Sequence, residues 1–163
     1  MAVTYESIAT TTISTGGVTS EINFTSIAST WTDLRIVVTG AVASDVDFRT
    51  QFNSDSGSNY SGIYFYGDGA SAVSGRNTSA TYIHCGDVYS ANPWMLTYDI
   101  FSYAGSTYKT VLITNNADQN GSGRVWRRVS LWRSTSAITS IRLYAGQYFN
   151  AGFTATLYGI KAA

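Results

Sequence analysis

The stretch Leu34-Arg-Ile-Val-Val-Thr-Gly-Ala-Val42 sets Leu34, Ile36 and Val38 on one side of an extended chain. Side chains along a strand alternate between its faces, so an apolar residue at every second position reads as a half-buried strand. The same period recurs to either side. In 18–24 it places Ile22 and Phe24 opposite Glu21 and Asn23, and in 48–53 it groups Phe48 with Phe52 while Arg49 and Gln51 face away. Further runs lie at 5–13, 60–66, 81–85, 94–103, 108–114, 125–132, 138–144 and 153–160. Turn-forming residues separate them: Gly16-Gly17, Asp55-Ser-Gly-Ser-Asn59, Asn92-Pro93 and the polar segment 115–123. Residues 25–32 read as a loop or a single helical turn, and 67–75 as a Gly/Ser/Ala loop. Run 60–66 carries aromatics on both faces, so neither face is plainly a water face.

About ten short strands with regular turn signals and no helical period predict an all-β fold, an antiparallel β-sandwich. Some connections are long, which points to a jelly-roll-like pair of sheets over a simple meander. No repeat and no linker interrupts the chain, so a single domain over 1–163 is expected.

Composition agrees. Ser and Thr make up about a quarter of the 163 residues, with twelve Tyr, fifteen Gly and one Pro, a mix that suits pleated surfaces and turns. Only 12% of residues are charged and the net charge is zero. A zero balance argues against nucleic acid, whose binding needs a basic excess. Low charge beside many aromatics implies that part of the surface is covered by another subunit. Met1-Ala-Val-Thr-Tyr-Glu6 lacks the positive start and apolar run of a signal peptide, and no run is long and apolar enough for a membrane helix. The expected site of synthesis is a cytoplasm, with export only as part of a particle.

The parts for ordinary catalysis are missing from the pattern. His84 is the one histidine and Cys85 the one cysteine; as strand neighbours they point to opposite faces, so they cannot pair as nucleophile and base. Asp45 and Asp47 are two apart but sit in an Ala/Ser-flanked turn. Asp118-Gln-Asn120-Gly121 begins like a calcium loop, yet the twelfth position, where an EF-hand needs Glu, is Val129. The expectation is no enzyme, no cofactor and no metal.

Arg124-Val-Trp-Arg-Arg-Val-Ser-Leu-Trp-Arg133 holds four of the ten basic residues. As a strand it puts Val125, Arg127, Val129, Leu131 and Arg133 on one face, which can join a core if Arg127 finds a partner. Arg124, Trp126, Arg128 and Trp132 fall on the other, and Arg with Trp is the pair most enriched in binding hot spots. Those four are the candidate subunit or partner interface. Tyr60, Tyr64 and Tyr66, beside the Gly-rich loop, are candidate rings for stacking on a glycan.

Four segments resemble, in this order, a known family. They are Ile22-Asn-Phe-Thr-Ser-Ile27 running on to Thr32-Asp-Leu34; Phe52-Asn53 with Gly57-Ser-Asn-Tyr-Ser61; Leu131-Trp-Arg-Ser-Thr135 with Ala137-Ile-Thr-Ser-Ile141; and Phe153-Thr-Ala-Thr-Leu-Tyr-Gly-Ile-Lys161. The family comprises small proteins encoded by tailed bacteriophages, especially those of aquatic bacteria and cyanobacteria, and the resemblance runs from about Tyr5 to Lys161. Ala28 stands where such sequences are expected to carry Pro. The resemblance implies a virion structural protein with a jelly-roll-like domain, often trimeric, and supplies no catalytic residues.

Two virion roles follow from it. A capsid decoration (cement) protein binds the major capsid protein of the assembled head as a homotrimer and stabilises it. A tail-fibre or receptor-binding module recognises host-surface glycan and is expected to need an attachment segment, for which the strands from near Met1 to the last residues leave no room. Decoration is therefore the expected role.

Overall fold

The computed structural model describes residues 5–161, so the two ends of the expected 1–163 domain, 1–4 and 162–163, lie outside the described residues. Twelve strands form: β1 (Tyr5–Thr12), β2 (Glu21–Phe24), β3 (Asp33–Gly40), β4 (Val46–Phe52), β5 (Tyr60–Gly67), β6 (Ala72–Ala80), β7 (Ile83–Val88), β8 (Trp94–Phe101), β9 (Lys109–Asp118), β10 (Gly123–Trp132), β11 (Ile141–Ala145) and β12 (Thr154–Ile160). All pairings are antiparallel, and no helix occurs among the described residues.

The strands form two sheets, an eight-stranded one in the order β1-β12-β3-β8-β9-β10-β5-β6 and a four-stranded one in the order β2-β11-β4-β7. Within these, β1-β12-β3-β8 faces β2-β11-β4-β7, the interlocked Greek-key order of an eight-stranded jelly roll. The remaining four strands are two inserted hairpins. β5-β6 enters between β4 and β7, β9-β10 between β8 and β11, and together they widen one sheet from four strands to eight. The sandwich was expected, and so was its jelly-roll character; the widened sheet was not.

The alternation read at 34–38 becomes the core. Leu34, Ile36 and Val38 lie across from Ile100, Tyr98 and Leu96 on β8 and from Gly159, Leu157 and Ala155 on β12, all buried. The small sheet answers with Phe24 and Ile22 opposite Ile141 and Leu143, and with Phe48 and Phe52 on β4. Each such aliphatic or aromatic side chain contributes about 1.5–3 kcal/mol on burial. Phe149 stacks on Phe153 at 3.9 Å beside Phe48 and Trp94, closing one end. A hydroxyl pair, Thr50 Oγ1 and Tyr98 OH at 2.9 Å, ties the sheets together at mid-core.

β6 corrects the sequence reading of 67–75 as a loop. It is an edge strand, mostly exposed along its length, with β5 as its one partner. With no buried side to fill, it has no apolar alternation to reveal it.

Candidate functional site

The inserted hairpins carry both features that can engage a partner, one on each face of the widened sheet. On β10 the faces are the reverse of the sequence reading. Trp126, Arg128 and Trp132 point inward and are 6%, 3% and 2% exposed, with Arg124 half-buried beside them. As a single chain, the face expected to meet a partner is inside the domain. Val125 and Val129, expected to join the core, face outward. Alternation alone cannot decide which side of a strand is in, and Arg-Trp polarity pointed the wrong way because the arginine stems and rings are packed against one another.

That inner face is a ladder of rings and guanidinium groups. Trp126 lies directly across from Tyr66, and Arg128 from Tyr64. Trp126 stacks on Tyr66 at 4.7 Å and lies 4.9 Å from Tyr64. Arg124 caps one end over Tyr66 at 4.6 Å, and Arg128 lies 5.5 Å from Tyr64 at the other. Five candidate residues from two separate predictions, Arg124, Trp126, Arg128, Tyr64 and Tyr66, therefore meet in one cluster. Two glycines make room for it. A Cβ on Gly62 would stand 2.7 Å from Arg128 Nη2, and one on Gly75 would stand 2.5 Å from the Tyr64 hydroxyl. Glycine inside a strand marks such close approaches, and Gly62, within the run 60–66, is the one such signal that the sequence carries.

The charges of the ladder are unevenly matched. Arg124 is ion-paired with Asp87, and Arg49 on the neighbouring small sheet holds Asp47 at 2.7 Å. Arg128 donates from Nε to Ser130 Oγ (2.8 Å) and from Nη2 to Asn77 Oδ1 (2.8 Å), both neutral, while its Nη1 has no hydrogen-bond partner among the described residues. Trp126 Nε1 is likewise buried without a partner. His84, 5.8 Å from the Trp126 ring, has its pKa lowered by burial and by the Arg128 charge, against the opposing pull of Asp47 and Asp87.

Beside this ladder, between the β5-β6 hairpin and β7, opens a cleft of about 450 Å³. Tyr64, Asn77, Ser79, Thr81, Tyr82 and His84 line it.

The outer face of the same strands is apolar. Ile63 and Phe65 on β5 and Val125 and Val129 on β10 are between 44% and 60% exposed, and Ile63 lies directly across from Val129. Leu112 on β9 continues the row beyond Val129, and Arg127 and Arg76 stand among these side chains. The outer face of the small sheet is built differently. There Glu21 holds Arg142, Asp47 holds Arg49, and the two arginines lie over Tyr144 and Tyr82. The outer face of the small sheet is finished with paired charges, whereas over the inserted hairpins the outer face of the widened sheet is apolar around Arg127 and Arg76.

The other residues singled out in the sequence go elsewhere. Tyr60 is fully buried, 6.4 Å from Trp132 and stacked on it, and its hydroxyl accepts from Phe52 N and donates to the Asp55 carbonyl. It has no ring face for a sugar, which corrects that expectation, and Trp132 donates to Asp55 at 2.7 Å. Cys85 is buried against Thr50 while His84 lies by Trp126, so the two separate. Asp45 caps Ser90 and Asp47 holds Arg49, so the two carboxylates serve different partners. Asp118 closes a turn on Asn120 N. No group of three or more His, Cys, Asp or Glu able to hold a metal occurs among the described residues.

No family model matches this chain, and no curated protein matches it. Among solved structures it is similar to a bifunctional GH43-CE protein of Bacteroides eggerthii, at 10% identity over 80% of this chain with a TM-score of 0.30; the chain spans 18% of that protein's length. It is also similar to the CBM2 module of an evolved Dit protein of Lactobacillus casei BL23 phage J-1, at 8% identity over 88% of this chain and 69% of that one, TM-score 0.20. A third is the heptameric SAP-like pentraxin of Limulus polyphemus, at 10% identity over 91% and 72%, TM-score 0.25. Likenesses this distant carry no argument about function. The class the coordinates define is a two-sheet antiparallel β-sandwich module.

Proposed function

We propose that this domain is a structural module of a tailed-phage virion that acts by binding and not by catalysis. In this reading it self-associates, as a trimer, through the outer face of its widened sheet. The observation that carries the self-association is the exposed apolar set Ile63, Phe65, Val125 and Val129, on a protein whose other sheet meets water with paired charges. The apolar set is interrupted by Arg127 and Arg76, and the Asp99–Arg35 pair lies farther along the same sheet. Placement in a virion rests on the family resemblance of the sequence.

As a capsid decoration protein it binds the major capsid protein of the finished head and stabilises the shell by that binding energy. Three linked copies turn three weak contacts into a durable one. Sedimentation of the wild-type chain and of a Phe65→Glu/Val125→Glu variant tests the first step: the wild type sediments as a trimer and the variant as a folded monomer. A wild type that stays monomeric at high concentration overturns it. Particles lacking the protein test the second: they assemble but burst at lower temperature. Normal head stability with lost adsorption to cells overturns decoration in favour of a receptor-binding module.

A further inference from the structure

We infer that Asn120 is a site of spontaneous covalent modification, a deamidation in which its side-chain amide closes onto the Gly121 nitrogen and is exchanged for a carboxylate. The chemistry is the chain's own and does not depend on the assembly role.

The sequence holds one Asn-Gly pair, 120–121, in the turn that joins β9 to β10. The backbone nitrogen that follows an asparagine can attack the side-chain Cγ because the product is a five-membered ring. A side chain on the following residue crowds that attack, and glycine removes the obstacle. Asn120 and Gly121 are both exposed, and a Cβ built on Gly121 would meet nothing within 4 Å.

Neither reacting group is held. The Asn120 side-chain amide and Gly121 N make no hydrogen bond among the described residues. The bonds of the turn lie beside them: Asn120 N donates to Asp118 Oδ1 at 2.9 Å, and Gln119 N donates to Ser122 O at 2.9 Å. A hairpin tip closed by so few bonds, all open to water, opens at little free-energy cost. Asn120 and Gly121 hold φ of 55° and 117°, the positive-φ turn that Asn-Gly favours, so the pair that makes the turn is also the pair that reacts.

Comparable positions are protected. Asn53 also precedes a small residue, Ser54, but its amide donates to Ala137 O at 2.7 Å and its side-chain oxygen accepts from Thr139 N and Ser140 N. Asp68-Gly69 has the same geometry in acid form, yet Asp68 Oδ1 is engaged by Ala70 N and Ser71 N.

The steps balance without an oxidant or reductant. Base takes the Gly121 N–H proton, the nitrogen bonds Asn120 Cγ, and the Cγ–Nδ2 bond breaks, its nitrogen taking a proton to leave as ammonia. Water then opens the ring. Cleavage of the new N–Cγ bond gives aspartate; cleavage of the original peptide bond gives isoaspartate, with the chain rerouted through Cγ. Asp-Gly suits the same turn, whereas isoaspartate lengthens it by one backbone atom. Either product sets a carboxylate beside Asp118 and adds one negative charge to a chain whose net charge is zero.

Peptide mapping of the folded full chain, stored warm in mildly alkaline and in mildly acidic buffer, tests this. Aspartate and isoaspartate are expected at position 120 at least tenfold faster than at position 53, and faster in alkali, with acidic species on isoelectric focusing growing at the same rate. An Asn120 that stays intact, equal conversion at Asn53, or conversion at 120 only once urea is added overturns the inference. Asn120→Gly leaves a Gly-Gly pair that the same turn accepts, so it keeps the fold and is expected to abolish the acidic species. Acidic species that form undiminished in Asn120→Gly place the chemistry elsewhere and overturn the assignment.

Discussion

Arg128 and Tyr64 stand directly across from each other on β10 and β5, and the Arg128 side chain continues over Gly62 to reach Asn77 on β6. One side chain thus spans three strands of the widened sheet. Arginine has the reach and the fork of donors for this, and glycine at 62 leaves the space. The two inserted hairpins are joined through the β10–β5 pairing and through this crossing. The jelly roll beneath is filled by ordinary apolar residues, so the unusual chemistry of the molecule is concentrated on what was added to it.

Neighbouring positions on β10 therefore separate stability from assembly. Trp126→Ala empties a buried site between Tyr64 and Tyr66 and is expected to cost about 3 kcal/mol or more of folding stability. Val125→Ala, one residue away on the outer face, is expected to change stability by at most about 0.5 kcal/mol while weakening self-association. Urea denaturation of both variants beside sedimentation checks the pair. A Trp126→Ala protein that is as stable as the wild type contradicts its placement.

The jelly roll was readable because its strands have a wet and a dry side, as at Leu34, Ile36 and Val38. The hairpins resist the same reading. β6 has no dry side, and β5 and β10 carry apolar side chains on both faces, Tyr64, Tyr66 and Trp126 on one and Ile63, Phe65, Val125 and Val129 on the other, so neither pattern names the core. That Trp126 would meet Tyr64 and Tyr66 depends on the β10–β5 pairing, a long-range register that no local pattern encodes. Its one local trace was glycine at 62 inside the extended run 60–66. The cleft was beyond reach for the same reason, since Asn77 and Ser79 lie in 76–80, which showed no strand pattern, and His84 comes from the other sheet.

His84 gives the domain an acid-sensitive side. Burial first, and then the Arg128 charge, hold its pKa below the ordinary 6.5. An unfolded chain takes up that proton near 6.5, whereas the folded one resists it to lower pH, so the unfolded state binds more protons in the interval between. Stability is therefore full above about pH 6.5 and declines as pH falls through that interval. His84→Gln is expected to flatten the decline between pH 6.5 and the folded-state value, measured by urea midpoints across pH. An identical slope in the variant removes His84 as the cause.

Cys85 makes an internal reporter of opening. Burial pushes its thiol up to about 11, against hydrogen bonds from Thr50 and Tyr98, so almost no thiolate is present at neutral pH. A thiol reagent such as a nitrobenzoate disulfide is expected to label the native protein only through unfolding, at a rate that rises with urea in step with the unfolding rate. Fast labelling in the absence of denaturant contradicts the buried placement against Thr50.

Asp55 anchors the turn between β4 and β5 to the far end of β10. Its carboxylate accepts from Trp132 Nε1 at 2.7 Å, Gly57 N at 2.8 Å and Asn59 Nδ2 at 2.9 Å. Burial acts to raise its pKa, but the bonds from Trp132, Asn59 and Gly57 outweigh that and hold it below the usual 3.8. A carboxyl with a depressed folded-state value contributes stability that is present above its unfolded value and lost as pH falls through the folded one. Asp55→Asn removes the charge while keeping the shape. Because the turn is partly open to solvent, its expected cost at pH 7 is about 1 kcal/mol, less than that of a fully buried charged hydrogen bond. The gap between variant and wild type is expected to close below the folded-state value, where the wild-type carboxyl is protonated as well. Urea midpoints at pH 7 and in that acid range measure it, and a gap that persists unchanged into acid means that Asp55 acts through its shape and not its charge.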